Sequence, residues 1–398
     1  MTEQPARPGG FGRRQFIGAA AGAAGVAGLA ALALPGNATA SSTTSVAHES
    51  DAKETRKQMT ELTFLGSYSN SGGDGLDRAA TDTTNGTVTV DAKVSGVPDA
   101  SWLAYSLDRS HLYTTNEDTD GTVTALLVTD PSNPVVVDEQ STEGDSPTFL
   151  NVHPTGKYLL VANYGSGSVA VLPLNSDGSI GTLTDVVTHT GGTGGAPHAH
   201  QIVTDPSGNW ILAVDLGTDS VYVYQLDLTT GKLSLHDQIV VAKGTGPRHL
   251  IFHPTATHGY LVAEDASEVI VFSWDATAGK LTPGQIVGTL GPDPTTPNYP
   301  AEGAASSDGR FVYVTNRGDN SLATFAVGDG GASLTLLSTI SIGGDWPRHF
   351  ALDPTESWFV VANQNSGTVT WLPRDRSTGL PGPVAGSVAV PAVAMVLF

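Results

Sequence analysis

The chain repeats the segment Leu159-Leu-Val-Ala-Asn-Tyr164, which is followed by a new apolar strand five residues later at Val169, and this repetition indicates the fold. Six copies occur, and each is an apolar strand that ends in a residue pair at a short loop. The last residues of these copies are positions 117, 164, 216, 264, 317 and 364, which are 47, 52, 48, 53 and 47 residues apart. A period near 50 in short β-rich units is typical of a β-propeller.

The two ends of the repeat region supply a seventh unit. The segment Leu62-Thr-Phe-Leu-Gly-Ser-Tyr68 matches the repeated strand but lacks the strand that precedes it elsewhere, and residues 390–398 match that missing strand. A blade built from both termini would leave no unpaired edge strand at the seam of the ring. We therefore predict an all-β, seven-bladed β-propeller, closed by a blade that the N- and C-terminal strands share.

The repeat runs through residues 61–398 without a linker, so we predict a single propeller domain there. Residues 1–40 contain Arg13-Arg14-Gln15-Phe16-Ile17, an Ala/Gly-rich apolar stretch and the small residues Ala38-Thr39-Ala40, which together resemble a twin-arginine export signal. Because glycines interrupt the apolar stretch and a cleavage-like site ends it, a cleaved signal is favoured over a membrane anchor. Residues 41–60 are predicted to be a disordered spacer. The mature protein is expected to be secreted or periplasmic, with no membrane attachment.

The chain carries a formal net charge of −20 and no cysteine. Residues 1–40 hold three arginines and one glutamate, so their removal leaves a charge of −22. This field repels nucleic acid and anionic membranes, and neither is expected as a partner. Without disulfides, stability must come from ring closure and packing. A monomer is expected.

In a propeller the first strand of each blade lines the central channel, so equivalent residues of different blades face the same region. Each first strand is marked by a proline and a downstream turn, as in Gly246-Pro-Arg-His-Leu-Ile-Phe-His-Pro254. We call the residue six places before the turn the channel position. The channel positions of five blades are Thr148, His200, Arg248, Ala301 and Arg348.

The end of the next strand is a second set of equivalent residues, which we call the strand-end positions. They are Glu117, Tyr164, Leu216, Glu264, Arg317 and Gln364. Repeat maintenance alone would keep similar residues at equivalent sites, whereas a ligand on the pseudo-symmetry axis requires the blades to differ. The charged residues at both sets of positions therefore indicate a ligand site in the channel.

Several of these residues also allow structural interpretations. Arg248 and Glu264 could form an ion pair within one blade, and Arg348 could pair with Asp345. His198 lies two residues before His200 and could suggest a metal pair, but no third ligand follows at suitable spacing, so no metal is expected.

Two further histidines come directly after the arginines of the channel positions. Strand alternation predicts that His249 and His349 face away from those arginines, with a role in packing or in bonding between blades.

The motifs Ala196-Pro-His-Ala-His200, Gly246-Pro-Arg-His249 and Trp346-Pro-Arg-His-Phe-Ala-Leu-Asp-Pro354 resemble the seven-bladed propeller lactonase family. That family includes propeller-type 6-phosphogluconolactonases of bacteria and fungal carboxymuconate-lactonizing enzymes. The resemblance implies a catalytic set that falls here on His200, Arg248, Glu264 and Arg317. The family often has Asn-Glu where this chain has Ala263-Glu264, so the carboxylate lacks one neighbouring side-chain donor.

These observations predict an exported lactone hydrolase that needs no metal or other cofactor and acts on a small anionic lactone or organic acid. His200 or Glu264 would be the general base, and Arg248 and Arg317 would hold the substrate carboxylate and the oxyanion. The substrate-binding residues would be Arg348, Glu117 and His198. Export fits poorly with 6-phosphogluconolactone, a cytoplasmic sugar phosphate.

Three alternatives remain open at this point. One is a muconate-type cycloisomerase in the same site, and another is a non-catalytic surface propeller that acts as a binding module. The third is a calcium-dependent propeller lactonase, against which the three arginines in the channel and strand-end positions argue.

Overall fold

A computed structural model describes residues 60–291 and 296–398. The predicted export signal and the spacer up to residue 59 lie outside the described residues. Within them the chain forms 28 β-strands and two short 3₁₀ helices, Ser69–Ser71 and Asp329–Gly331. No helix in this part of the chain is long and apolar enough to cross a membrane.

The strands form seven antiparallel four-stranded sheets, the blades of a propeller, which confirms the predicted fold class. Blade 1 consists of β28 (Val393–Leu397), β1 (Thr60–Ser67), β2 (Leu76–Asp82) and β3 (Val88–Val94), and blade 2 of β4 (Leu103–Tyr105), β5 (His111–Asn116), β6 (Thr122–Leu127) and β7 (Val135–Ser141). Blade 3 consists of β8 (Pro147–Val152), β9 (Tyr158–Asn163), β10 (Ser168–Pro173) and β11 (Asp185–Thr188), and blade 4 of β12 (Ala199–Thr204), β13 (Ile211–Asp215), β14 (Ser220–Asp227) and β15 (Lys232–Val240). Blade 5 consists of β16 (Pro247–Phe252), β17 (His258–Ala263), β18 (Glu268–Asp275) and β19 (Lys280–Gly288), and blade 6 of β20 (Tyr299–Ala305), β21 (Phe311–Arg317), β22 (Ser321–Gly328) and β23 (Ser333–Ser341). Blade 7 consists of β24 (Pro347–Leu352), β25 (Trp358–Asn363), β26 (Thr368–Pro373) and β27 (Gly386–Ala389).

The strands read as continuous apolar runs because both faces of each blade are buried. In β13, Ile211 and Ala213 pack toward blade 3, while Leu212 and Val214 pack toward blade 5. One buried cluster of this kind lies between each pair of successive blades, seven in all among the described residues. The core is therefore a ring of interfaces around the channel rather than one central mass.

Ring closure occurs as predicted, in the blade that the two termini share. Strand β28 pairs antiparallel with β1, with Phe64 opposite Leu397 and Gly66 opposite Met395. The seam toward blade 7 is filled by a buried cluster that contains Val393 and Val396. The C-terminal strand is thus the channel-lining strand of blade 1.

The channel positions coincide with an irregularity in the inner strands. In blades 3, 4, 5 and 7 a single residue bulges out of the ladder with the second strand, and in blade 6 two residues do so. The bulged residues are Thr148, His200, Arg248, Arg348, and the pair Ala301 and Glu302. A β-bulge re-aims a side chain and bends its strand. The repeat therefore places a redirected residue at the same end of each of these blades.

Candidate active site

One centre of the site is Glu264, which follows β17 in blade 5. Its Oε2 lies 3.4 Å from Nε of Arg248 in the same blade and 2.5 Å from Nη2 of Arg317 in blade 6. The Arg317 Nε–H also donates to the Tyr299 carbonyl oxygen at 3.0 Å, and its guanidinium lies over the Trp346 ring. The ion pair within blade 5 is present, but the same carboxylate also joins two blades and orients both arginines.

A second centre is formed by Arg348 of blade 7 with residues of blades 1, 2 and 3. Nη2 of Arg348 in blade 7 lies 3.6 Å from Oε2 of Glu117 in blade 2. The Tyr68 hydroxyl, just after β1, donates to the same Glu117 oxygen at 2.8 Å. Arg348 also reaches Oγ1 of Thr148 in blade 3 at 3.5 Å. Arg348 thus pairs across the channel mouth rather than with Asp345, which accepts from Asn320 Nδ2 at 2.8 Å.

The two histidines of the Pro-His-Ala-His motif have different surroundings. His198 stacks on Tyr164 with ring centroids 4.6 Å apart, and its Nδ1 lies 3.0 Å from the Tyr164 carbonyl oxygen. His200 meets the Tyr164 ring edge-on at 5.7 Å and the His249 ring at 5.0 Å. His200 is 5% exposed, and its Nδ1 has no hydrogen-bond partner among the described residues. His198 therefore contributes to the wall of the site, whereas His200 faces its interior.

Below these groups lies a second layer, made of the residues that follow the channel positions. The expectation that His249 and His349 face away from the arginines is wrong, because the bulge turns two consecutive side chains toward the channel. The rings of both histidines contact Trp102 of blade 2, at centroid distances of 5.4 and 5.3 Å. Glu302 Oε2 lies 3.2 Å from His249 Nδ1 and 3.7 Å from His349 Nε2. All three residues are buried.

Burial and the neighbouring charges set the protonation states. Burial and the cationic Arg248 hold the pKa of His200 well below its ordinary value. Burial alone would raise the pKa of Glu264, but Arg317 and Arg248 outweigh it and the pKa is lowered. Burial and the like charges of Arg317 and Arg348 lower the pKa of Arg248 to about 9. Near pH 7 the site therefore combines a neutral imidazole, an ionised carboxylate and charged guanidinium groups.

The structure brings together all of the sequence-predicted site residues at one end of the channel, with His198 joined to the rest through Tyr164. It also adds Tyr68 and Glu302. Tyr68 occupies the strand-end position of blade 1, so comparison with the other blades could have found it. Counting six residues back from the turn gives Ala301 in blade 6 and misses Glu302, because the bulge of this blade has two residues. Its only sequence signal is a glutamate within the small-residue strand Pro300-Ala-Glu-Gly303.

The calcium interpretation requires acidic groups that converge on the axis. In residues 60–291 and 296–398, no group of three or more His, Asp or Glu side chains has an arrangement that could hold a metal ion. The two glutamates at the mouth, Glu117 and Glu264, are instead each paired with arginine.

The buried histidines predict a loss of stability on acidification. Burial holds the pKa of His200 and His249 well below the ordinary value and lowers that of His349 to about 4. Below pH 6.5 these histidines become protonated in the unfolded chain but stay neutral in the native state. The free energy of unfolding therefore falls as the pH drops from about 6.5 toward 4. Each histidine contributes at most about 1.4 kcal/mol per pH unit. Glu302, whose pKa burial raises, opposes part of this effect.

Urea unfolding at pH 7.5 and pH 5.0 measures this slope. The variant His349→Phe should be less sensitive to pH than the wild type. Stability that is constant or rises between pH 7.5 and 5.0 would contradict the assignment of neutral buried histidines.

Comparison with known proteins places this geometry in context. A family model described as "Lactonase, 7-bladed beta-propeller" matches residues 63–398. The 6-phosphogluconolactonase of Bacillus subtilis is 33% identical over 84% of this chain and 97% of its own length. Among solved structures, the periplasmic gluconolactonase PpgL of Pseudomonas aeruginosa has a TM-score of 0.81 at 30% identity, covering 85% of this chain and 99% of that one. A Lactobacillus plantarum protein has a TM-score of 0.80 at 34% identity, with the same coverage.

Proposed function

The chain belongs to the seven-bladed β-propeller lactonase family, and on that premise we propose that it is an exported enzyme that hydrolyses a small anionic lactone. The observation that carries this proposal is the pair of arginines, Arg248 and Arg317, held by one carboxylate beside a neutral buried histidine. Lactone hydrolysis needs a base for water and donors for an oxyanion, and this group of side chains supplies both.

His200 is the general base in this proposal. The Oε2 atom of Glu264 is engaged by two guanidinium groups, and their charges lower the pKa of its carboxyl group. Its capacity to accept a further proton is correspondingly small. His200 is neutral and has no carboxylate partner that would hold it in the protonated state. It removes a proton from water as the oxygen attacks the carbonyl carbon of the lactone, and returns that proton to the ring oxygen when the ring C–O bond breaks.

The arginines stabilise negative charge on the substrate. Nη1 of Arg248 is buried and has no hydrogen-bond partner among the described residues. An unpaired buried donor of this kind costs roughly 1–3 kcal/mol, a cost that a bound oxyanion or carboxylate would remove. Glu264 fixes the direction of this donor and of the Arg317 guanidinium. Preorganised donors aimed at a developing oxyanion are among the largest contributions to catalysis of acyl transfer.

An anionic substrate follows from the local charge. Three guanidinium groups, those of Arg248, Arg317 and Arg348, face two carboxylates at the channel mouth, in a chain whose net charge is −20. The contacts of Arg348 to Glu117 and Thr148 are long, at 3.6 and 3.5 Å. Its guanidinium is therefore available for a second acidic group of the ligand, such as a carboxylate or phosphate.

The substrate class can be tested with gluconolactone and 6-phosphogluconolactone, which differ by one phosphate group. We expect Arg348→Ala to raise KM for the phosphorylated lactone by about tenfold and to change KM for gluconolactone by less than about twofold, because the lost interaction is with a negative group. Steady-state kinetics with and without EDTA on the mature protein provide the measurement. Arg310→Ala, which removes an exposed cation, is the matched control. Thr148→Ala is not a suitable control because Thr148 contacts Arg348.

Equal changes in KM for the two lactones would contradict the anionic-substrate proposal. Failure of the wild type to hydrolyse any lactone would contradict the hydrolase proposal. Conversion of a muconate in the same assay would then support the cycloisomerase, and ligand binding without turnover would support the binding module.

Export by the twin-arginine route is proposed from Arg13 and Arg14, and it is supported by the similarity to the periplasmic gluconolactonase of Pseudomonas aeruginosa. The double variant Arg13→Lys and Arg14→Lys keeps the charge but removes the arginine pair, so we expect secretion to stop. Immunodetection of the protein in medium and cell fractions measures this, with Arg7→Lys as the control. Normal export of the double variant would rule out the twin-arginine route.

A further inference from the structure

Beneath the proposed base lies a buried group of titratable residues to which the hydrolysis scheme gives no role. Glu302 Oε1 accepts from the Gly303 backbone N–H at 3.1 Å, so its position is fixed. Its Oε2 faces Nδ1 of His249 and, at a longer distance, Nε2 of His349. His249 is fully buried and Glu302 is 7% exposed. A carboxylate between two imidazoles costs free energy to bury unless it is paired and hydrogen-bonded.

The contacts define which ring nitrogens carry hydrogen. The Val396 backbone N–H donates to His349 Nδ1 at 3.4 Å, so in the neutral ring the hydrogen is on Nε2, the atom that faces Glu302. In His249 the nitrogen nearest the carboxylate is Nδ1, 3.2 Å from Glu302 Oε2, although the two atoms do not meet in hydrogen-bond geometry. The tautomer that this carboxylate favours carries its hydrogen on Nδ1. His249 Nε2 is then the nitrogen with a free lone pair.

The His249 ring lies next to that of His200. The ring centroids of His200 and His249 are 5.0 Å apart, with planes inclined at 67°. His200 Nδ1 and His249 Nε2 are both buried, and neither has a hydrogen-bond partner among the described residues. These two buried nitrogens without partners, on rings in contact, are therefore the candidates for the two ends of a proton transfer, with the hydrogen on His200 Nδ1.

We propose that Glu302, His249 and His200 form a proton relay, in which Glu302 holds the His249 tautomer and His249 accepts a proton from His200 during turnover. This inference rests on the proposed hydrolysis. His200 would be the catalytic residue that touches water and substrate, His249 the relay residue and Glu302 a positioning residue.

The relay moves two protons while water attacks the lactone. A water O–H bond breaks, its proton goes to His200 Nε2, and the water oxygen bonds to the lactone carbonyl carbon, whose π electrons move to the oxyanion. The Nδ1 proton of His200 passes to His249 Nε2, which leaves His200 neutral and His249 protonated. When the ring C–O bond breaks, a proton returns through His200 to the leaving oxygen. The sum is lactone plus water giving the hydroxy acid.

The electrostatic benefit of the relay lies in where the positive charge resides. A protonated His200 would face Arg248, Arg348 and Arg317 without a carboxylate of its own. His249 faces the same three arginines and, beyond them, Glu264, but it has the Glu302 carboxylate 3.2 Å from its Nδ1. Moving the charge to His249 therefore places it beside a counter-ion.

The test compares His249→Phe and Glu302→Gln with His253→Phe, a change of another buried histidine in the turn that follows β16, where its ring bonds Thr255 and Gly309. We expect His249→Phe to lower kcat by roughly 10–100-fold and Glu302→Gln by about tenfold, with KM within about twofold. The His253→Phe variant should keep kcat within about twofold. Thermal unfolding checks that each variant folds. If His249→Phe does not fold, the Glu302→Gln variant, which preserves the shape of the side chain, provides the test.

A proton inventory in H₂O and D₂O mixtures separates a relay from a structural role. The dependence of kcat on deuterium content should be curved in the wild type and linear in His249→Phe, since one proton fewer is in transit. In the resting protein, ¹⁵N NMR should show His249 as the Nδ1–H tautomer. Wild-type kcat in folded His249→Phe, a linear wild-type inventory or the opposite tautomer would overturn the relay alone. Absence of lactone turnover in the wild type would overturn both the relay and the hydrolase proposal.

Discussion

Removal of residues 390–398 is expected to shift thermal unfolding downward by about 10 °C or more, or to abolish the cooperative transition. The truncation deletes the channel-lining strand of blade 1, exposes the edge of β1 and empties the seam between blades 7 and 1. Four of the lost side chains, those of Val390, Val393, Met395 and Val396, are almost fully buried. At 1.5–3 kcal/mol each, their burial contributes roughly 6–12 kcal/mol, which is comparable with the entire stability of a typical domain.

Circular dichroism melts of the truncated and intact mature proteins measure this effect. A point variant tests the same seam without truncation. Val396→Asp places a charge in the buried cluster, whereas Val384→Asp places it at a position that is 38% exposed. Only the first should destabilise strongly. If the truncated protein melts at the wild-type temperature, the shared blade does not contribute to stability.

Replacement of the proposed base and of the carboxylate that organises the arginines should have the largest effect on catalysis. We expect His200→Ala to lower kcat on any accepted lactone by roughly 10²–10⁴-fold, the usual contribution of a positioned acid or base. We expect Glu264→Gln to lower it by about 10²-fold. An amide cannot form ion pairs with both Arg248 and Arg317, so the oxyanion donors lose their preorganisation.

Steady-state kinetics on folded variants measure both changes, and matched controls are present in the chain. Glu356 pairs with Arg374 Nη1 at 3.2 Å near the turn between β24 and β25, at the other end of the strands from the site. Glu356→Gln therefore removes a comparable ion pair far from the channel mouth. His236→Ala removes an exposed histidine. Wild-type kcat in both His200→Ala and Glu264→Gln would show that the chemistry lies elsewhere.

The pseudo-symmetry of the propeller explains why the site could be located from repeats. Equivalent positions in different blades are built by the same local structure, a bulge after the first proline or the end of the second strand. In blades 3 to 7 the backbone thus presents a residue toward the axis at a matched position, while the side chains differ from blade to blade. The apolar residues Ala301 and Leu216 and the charged residues Arg248 and Glu264 therefore occupy equivalent backbone positions with different roles.

The sequence by itself determined the all-β architecture, the seven blades and the closure of the ring by both termini. The reason is that the strands are short, local and repeated, so each unit carries its own signal of apolar runs and turns. For the same reason it predicted that His200, Arg248, Glu264 and Arg317 lie around one channel.

Only the tertiary structure decided which groups meet. Tyr68 and Glu117 lie in the successive blades 1 and 2, whereas Arg348 comes from blade 7, and closure of the ring brings it to them. The orientation of His249 depends on the one-residue bulge of blade 5, and the position of Glu302 at the site depends on the two-residue bulge of blade 6. A bulge is set by how a strand fits its neighbours in the ring, and that fit is a long-range property that strand alternation cannot express.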